Sequence, residues 1–217
     1  MSENFVINTG KDVYKETSYE PYGFLPEHHK VLRERIPECE LVLPNVQIDT
    51  LIHRLHKTMK IAGGIGLSAN QCGVNIRMFI MGFGEQVYGC INPEVVEQSD
   101  ELIDDQEGCL SFPGLILRVR RPSWIQAKYT NKDGQVVEER FEGLTARCYL
   151  HELDHMNGVV FTEKVGPVSL QKGRRKQQKL IKALTRKMKN GMQLKLVRVT
   201  ARTSTDARWL ANLRRKN

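Results

Sequence analysis

The segment His151-Glu152-Leu153-Asp154-His155 restricts the fold more than any other stretch of the chain. Two histidines four residues apart stand one above the other only on a helical backbone. There both imidazoles can bind one divalent metal, and Glu152 can reach the same metal's water as a general base. The alternative is a helix whose histidines only hydrogen-bond in the core. Leu144, Cys148, His151 and His155 share one helical face, so the helix is expected over about 144–156, with Gly158 stopping it.

A catalytic site of this type needs three protein ligands and one open position. No histidine follows His155, and the later acids are Glu163, too near in sequence, and Asp206, in a basic tail. A metzincin would have a third histidine where Phe161 stands. The third ligand therefore comes from upstream. Cys109, inside the segment 107–114, is the best-placed soft donor; Cys148 is a weaker candidate, expected to pack beneath the site. The five cysteines (39, 72, 90, 109 and 148) are odd in number and form no C-x-x-C pair. They fit a reducing compartment better than a disulfide framework.

Three stretches now stand in order: Gly64-Ile65-Gly66-Leu67-Ser68-Ala69-Asn70-Gln71, Glu107-Gly108-Cys109-Leu110-Ser111, and His151-Glu152-Leu153-Asp154-His155-Met156-Asn157-Gly158. Taken alone, the first is a tight glycine-rich loop. Together the three resemble the signature motifs of the peptide deformylase family, over roughly Val31 to Phe161. The resemblance implies that Cys109, His151 and His155 hold the metal and that Glu152 is the general acid/base. Gln71 and the backbone N–H of Leu110 would then stabilise an oxyanion. The implied metal is Fe²⁺, with Zn²⁺, Ni²⁺ or Co²⁺ able to take its place. The implied reaction is removal of the N-formyl group from the initiator methionine of nascent polypeptides, releasing formate.

Given that reaction, the backbone of Ile65 and Gly66 is expected to pair with the substrate peptide, and Gly108 to pair from the other side. Glu107 orients Gln71 or a nearby basic residue, or forms a structural salt bridge. Two positions depart from the family pattern: Ser68 stands where Ala is usual and Leu150 where Gln is usual. The serine is expected to matter little; the leucine removes a polar group beside the site. The rival readings are a zinc endopeptidase and a ribosome- or RNA-binding protein with a decayed site.

The expected fold is α+β, with mixed short β-sheets around a central metal-binding helix and a basic C-terminal helix. Residues 1–26 read as an N-terminal extension, 27–166 as the catalytic domain, and 167–217 as a basic helix and tail. Lys30–Ile36 reads as a short edge strand. Ile48, Leu51, Ile52, Leu55 and Met59 have helical spacing, with Asn45 as N-cap and Gly63-Gly64 as the stop. Strands are expected at 77–83, 87–91 and 159–162, and a hairpin at 123–131 and 135–141 turns at Asp133-Gly134. The acidic stretch 98–106 reads as an exposed loop.

Charge divides the chain. From Lys164 onward there are 17 Lys and Arg against one acid, while the first 163 residues carry 16 basic and 24 acidic residues. A helix from Ser169 to about Lys189, with Leu180, Ile181, Leu184 and Met188 on its apolar side, resembles the helix by which deformylases dock on the ribosome. Its lysines and arginines would meet ribosomal RNA phosphates. Cutting the chain after Pro167 is then expected to spare short-peptide turnover. Beyond it, 193–200 reads as strand-like and Asp206 as the cap of a short helix. No apolar run is long enough to span a membrane. The expected setting is the cytoplasm of a bacterium or a virus-infected bacterium, with an organelle left open, and the expected state a monomer.

Overall fold

The computed structural model describes residues 21–83 and 86–189. The strand-like and helical expectations for 193–217 lie outside the described residues. Helix α1 (Val46–Ala62) begins where expected: Asn45 Oδ1 accepts from the N–H of Gln47 at 2.8 Å, and Gly63 ends the helix at φ +72°. Among the described residues seven strands follow it: β1 (Gly66–Ser68), β2 (Met78–Phe83), β3 (Gln86–Gln98), β4 (Leu102–Gly108), β5 (Ile116–Pro122), β6 (Trp124–Thr130) and β7 (Val136–Glu142). They form a five-stranded sheet in the order β1-β2-β3-β6-β7 and a separate β4–β5 ribbon, with every pairing antiparallel. Helix α2 (Gly143–Met156) and helix α3 (Pro167–Lys189) complete the order.

Alternation along β2 explains the layering. Met78 and Ile80 join Leu51, Leu55 and Met59 of α1 in one apolar cluster. Phe79 and Met81 face the other way and pack with Cys148, Tyr149 and Met156 of α2. The strand is apolar throughout because both of its faces are covered. Leu115, Leu117 and Val119, from the segment before β5 and from β5 itself, build a third cluster with Phe112, Val160 and Phe161. Helix α2 therefore packs both on the large sheet and on β5 of the ribbon. Gly158, at φ +72°, ends it where a Cβ would lie 2.8 Å from the Arg33 carbonyl oxygen.

Four local expectations need correction. Lys30–Arg33 is a 3-10 turn, not a strand; His29 Nδ1 accepts from the N–H of Val31, and only Leu32 within the turn is buried. Residues 161–164 likewise form a 3-10 turn after Val160. The acidic stretch is exposed, yet its backbone from Leu102 pairs with β5, where Arg118 bonds the Asp104 carboxylate across the ribbon. Helix α3 begins at Pro167, ahead of the start expected at Ser169, and Leu180 and Ile181 of its apolar side are exposed. The helix docks through Gly173, where a Cβ would collide with Leu117, and through buried Gln177, which donates to the Pro113 carbonyl.

Candidate metal centre

Successive turns of α2 present His151 and His155, and the segment between β4 and β5 brings Cys109 against them. Cys109 Sγ lies 3.3 Å from His155 Nε2, and donor atoms of Cys109, His151 and His155 all lie within 4.8 Å of one another. Bonds of about 2.0–2.3 Å to nitrogen and sulfur put tetrahedral donors roughly 3.3–3.8 Å apart. A thiol and two imidazoles spaced in this way fit one divalent ion with little closure. Burial, followed by the neighbouring His151 charge, lowers the His155 pKa and favours the neutral imidazole that binds metal.

The orientation of His151 has a visible cause. Its Nδ1 lies 3.1 Å from Glu107 Oε2, which leaves Nε2 for the centre. Arg121 binds the same carboxylate with two bonds, of 2.8 and 2.9 Å, and Arg147 adds a third of 2.7 Å. Arg121 also pairs with Asp154, one turn along α2. Burial pushes the Glu107 carboxyl up, but the Arg121 and His151 hydrogen bonds outweigh it and hold the group well below the usual carboxylate range. Of the three readings of Glu107, the structure supports the basic-residue partner and the salt bridge, not contact with Gln71.

Glu152 is 4% exposed and points to β1. Ser68 Oγ donates to its Oε2 at 2.6 Å. Burial raises the Glu152 pKa, with the His151 charge and the Ser68 bond pulling it back. A carboxyl moved toward neutrality suits proton transfer. Gly66 makes room for it, since a Cβ there would lie 2.5 Å from Glu152 Oε1 and 2.7 Å from Cys148 Sγ. Gln71 is equally constrained: its Oε1 accepts from the Ser68 N–H at 2.9 Å, so its Nε2 faces Cys109 Sγ at 3.3 Å and Ser111 Oγ at 3.1 Å.

Leu110 follows Cys109, and among the described residues its N–H makes no hydrogen bond. Ile65 and Gly66 lie on or beside β1, the outer strand of the large sheet, with Gly66 paired to Met81. Gly108 ends β4, exposed and paired to Ile116. The residues expected at the centre thus converge, with Cys148 packed behind them. A groove of about 750 Å³ begins at Leu110 and Ser111 and runs between residues 24–27 and Arg174, Gln177 and Ile181 of α3. It borders the centre without including the three metal-capable side chains.

The family model described as Polypeptide deformylase matches residues 22–171. The chain belongs to this family. A peptide deformylase from Thermotoga maritima is 41% identical over 116 residues, which cover 54% of this chain and 71% of that protein. Among solved deformylase structures, that from Synechococcus elongatus in complex with actinonin aligns with a TM-score of 0.68 at 30% identity, covering 82% of this chain and 95% of that one. A class I type b deformylase from Acinetobacter baumannii, bound to Met-Ala-Ser, aligns at 0.64 and 28% identity, covering 68% of this chain and 99% of that one. The α+β arrangement of short antiparallel sheets is the deformylase fold.

Sequence reasoning passed over three contributors. Arg121 sits on the same face of β5 as buried Leu117 and Val119, and a charge in an inward alternating position was the available signal. Arg147 lies four residues before His151 on α2. Ser68 was the remaining one: expected to matter little, it bonds the carboxylate beside the metal-capable cluster.

Proposed function

We propose that Cys109, His151 and His155 hold one divalent metal and that Glu152 serves as general acid/base in this deformylase. Family membership carries the reaction: removal of the N-formyl group from nascent peptides. The observation supporting the residue roles is the three-donor cluster on and beside α2, with Glu152 and the Gln71 amide turned toward it. An ion held there supplies Lewis acidity that brings the pKa of water down to about 7. Glu152 accepts a proton from the water that attacks the formyl carbon and passes it to the departing amine as the C–N bond breaks, so the products are formate and a free methionine N-terminus. Gln71 Nε2 and the Leu110 N–H donate to the formyl oxygen as it gains negative charge; one such donor is worth about 3 kcal/mol.

Fe²⁺ is the proposed metal, although a Cys/His₂ set accommodates several ions. Oxidation of the Cys109 sulfur would then end activity. The free edge of β1 at Ile65 and Gly66, with Gly108 opposite, is the proposed backbone partner of the peptide. Met-Ala-Ser in the Acinetobacter relative suits such strand-like binding. Exposed Lys172, Arg175, Lys176, Lys179, Lys182 and Arg186 support the reading of α3 as a contact for ribosomal RNA. Among the described residues no helix is long and apolar enough to cross a membrane.

The test is formate release from formyl-Met-Ala-Ser by anaerobically metal-loaded protein. Glu152→Gln should keep the metal while turnover falls about 10²- to 10⁴-fold. A metal-loaded wild type that releases no formate would sink the assignment.

A further inference from the structure

We infer that Ser68 is a positioning residue that sets Glu152 and Gln71 in register for the reaction. The inference rests on the roles proposed for those two groups. Gly66 and Ser68 occupy alternate positions of β1 and face α2, while Leu67 points away into the α1 cluster. Ser68 is fully buried. Its Oγ lies 2.6 Å from Glu152 Oε2 and 3.2 Å from the Glu152 carbonyl oxygen. The other carboxylate oxygen rests over Gly66, in the space that a Cβ would fill. One oxygen is tied and the other is held over a surface without a side chain, which leaves the carboxylate little rotational freedom.

The backbone of the same residue orients the second group. The Ser68 N–H donates to Gln71 Oε1, so the amide turns its Nε2 toward Cys109. One residue of β1 therefore aims the proton carrier through its hydroxyl and the oxyanion donor through its backbone. A hydroxyl donates to a carboxylate and accepts from a carboxylic acid with only a turn of its O–H. The contact consequently persists while Glu152 takes up and gives away its proton, and the side chain stays in place between the two transfers. Alanine at this position retains the backbone function and loses the hydroxyl function. Ser68→Ala separates the two.

The experiment compares metal-loaded wild type and Ser68→Ala on formyl-Met-Ala-Ser, each alone and in a Glu152→Ala background, with bound metal and thermal unfolding measured in parallel. The expected result is a fall in kcat on the order of tenfold with KM and metal content unchanged. In the Glu152→Ala background, Ser68→Ala should then change the residual rate no further. An unchanged kcat, or an equal loss of rate or melting temperature in both backgrounds, would overturn the inference by making the hydroxyl a core group only. Formate release by the wild type checks the underlying assignment separately, so the two readings fail on different measurements.

Discussion

Glu107 receives hydrogen bonds from Arg121 and Arg147 and lies within bonding distance of His151, at a position only 6% exposed. Removing its charge leaves two buried guanidinium groups without their main counter-ion. Breaking one side of such a network costs about 3–5 kcal/mol. Glu107→Gln should lower unfolding stability by that order in denaturant melts, and should weaken metal binding about 10- to 100-fold by releasing His151. The pH dependence has a definite sign. Because the folded pKa is depressed, the stabilisation is fully present above the ordinary value of 4.5 and is lost as pH falls toward the folded value. Wild-type stability should therefore decline below pH 4.5 more steeply than that of Glu107→Gln. Equal slopes would show that other carboxylates govern acid unfolding.

Strand β1 has only three residues, yet two of them define the space around Glu152. Gly66→Ala forces a methyl group toward Glu152 Oε1 and Cys148 Sγ, at 2.5 and 2.7 Å. Overpacking of this kind costs about 1–3 kcal/mol. Here it should also lower kcat, because the carboxylate or the strand must move; a melt combined with peptide kinetics checks both. In the sequence this glycine-rich stretch looked like a loop. Its strand character comes from pairing with residues 79–81, a partner that local composition does not name. The acidic residues of β4 were hidden in the same way, since backbone pairing with β5 makes a strand of what local charge presented as a loop, and Arg118 bonds Asp104 across it. Elements whose signals are local were legible: α1 with its Asn45 cap, α2 with its Gly158 stop, and the hairpin at Asp133-Gly134.

At the scale of the whole molecule, α3 joins the catalytic body to a basic surface. Gly173 lets it approach β5, Gln177 holds the Pro113 carbonyl, and Arg174 pairs with Glu27 at 2.8 Å. Pro113 lies in the turn from Phe112 to Leu115, directly after the turn that the Phe112 N–H closes on the Cys109 carbonyl. This packing revises the expectation for truncation after Pro167: the loss should lower the melting temperature and reduce tripeptide turnover, because the Cys109 segment loses its clamp. Unaltered turnover would restore the simpler division into catalytic domain and tail. The exposed face makes a different prediction. Lys176→Gln with Lys179→Gln should leave tripeptide turnover unchanged while weakening ribosome binding. Each lost phosphate contact should also flatten the log–log salt dependence by roughly 0.7–0.9. Binding that is insensitive to salt would argue against a phosphate contact.

The sequence by itself determined that His151 and His155 stand together as a metal-capable pair, because helical periodicity alone sets two residues four apart on one face. Spacing left Cys109 and Cys148 as candidate third donors, and the resemblance of three motifs in order pointed to Cys109 and to the family that the family model confirms. Tertiary structure alone decided what surrounds those groups. Arg121 and Arg147 reach Glu107 from residues 14 and 40 positions away, and Ser68 reaches Glu152 across 84. Buried charges and hydroxyls must find partners wherever the fold offers them, and that choice depends on packing between elements, not on spacing within one.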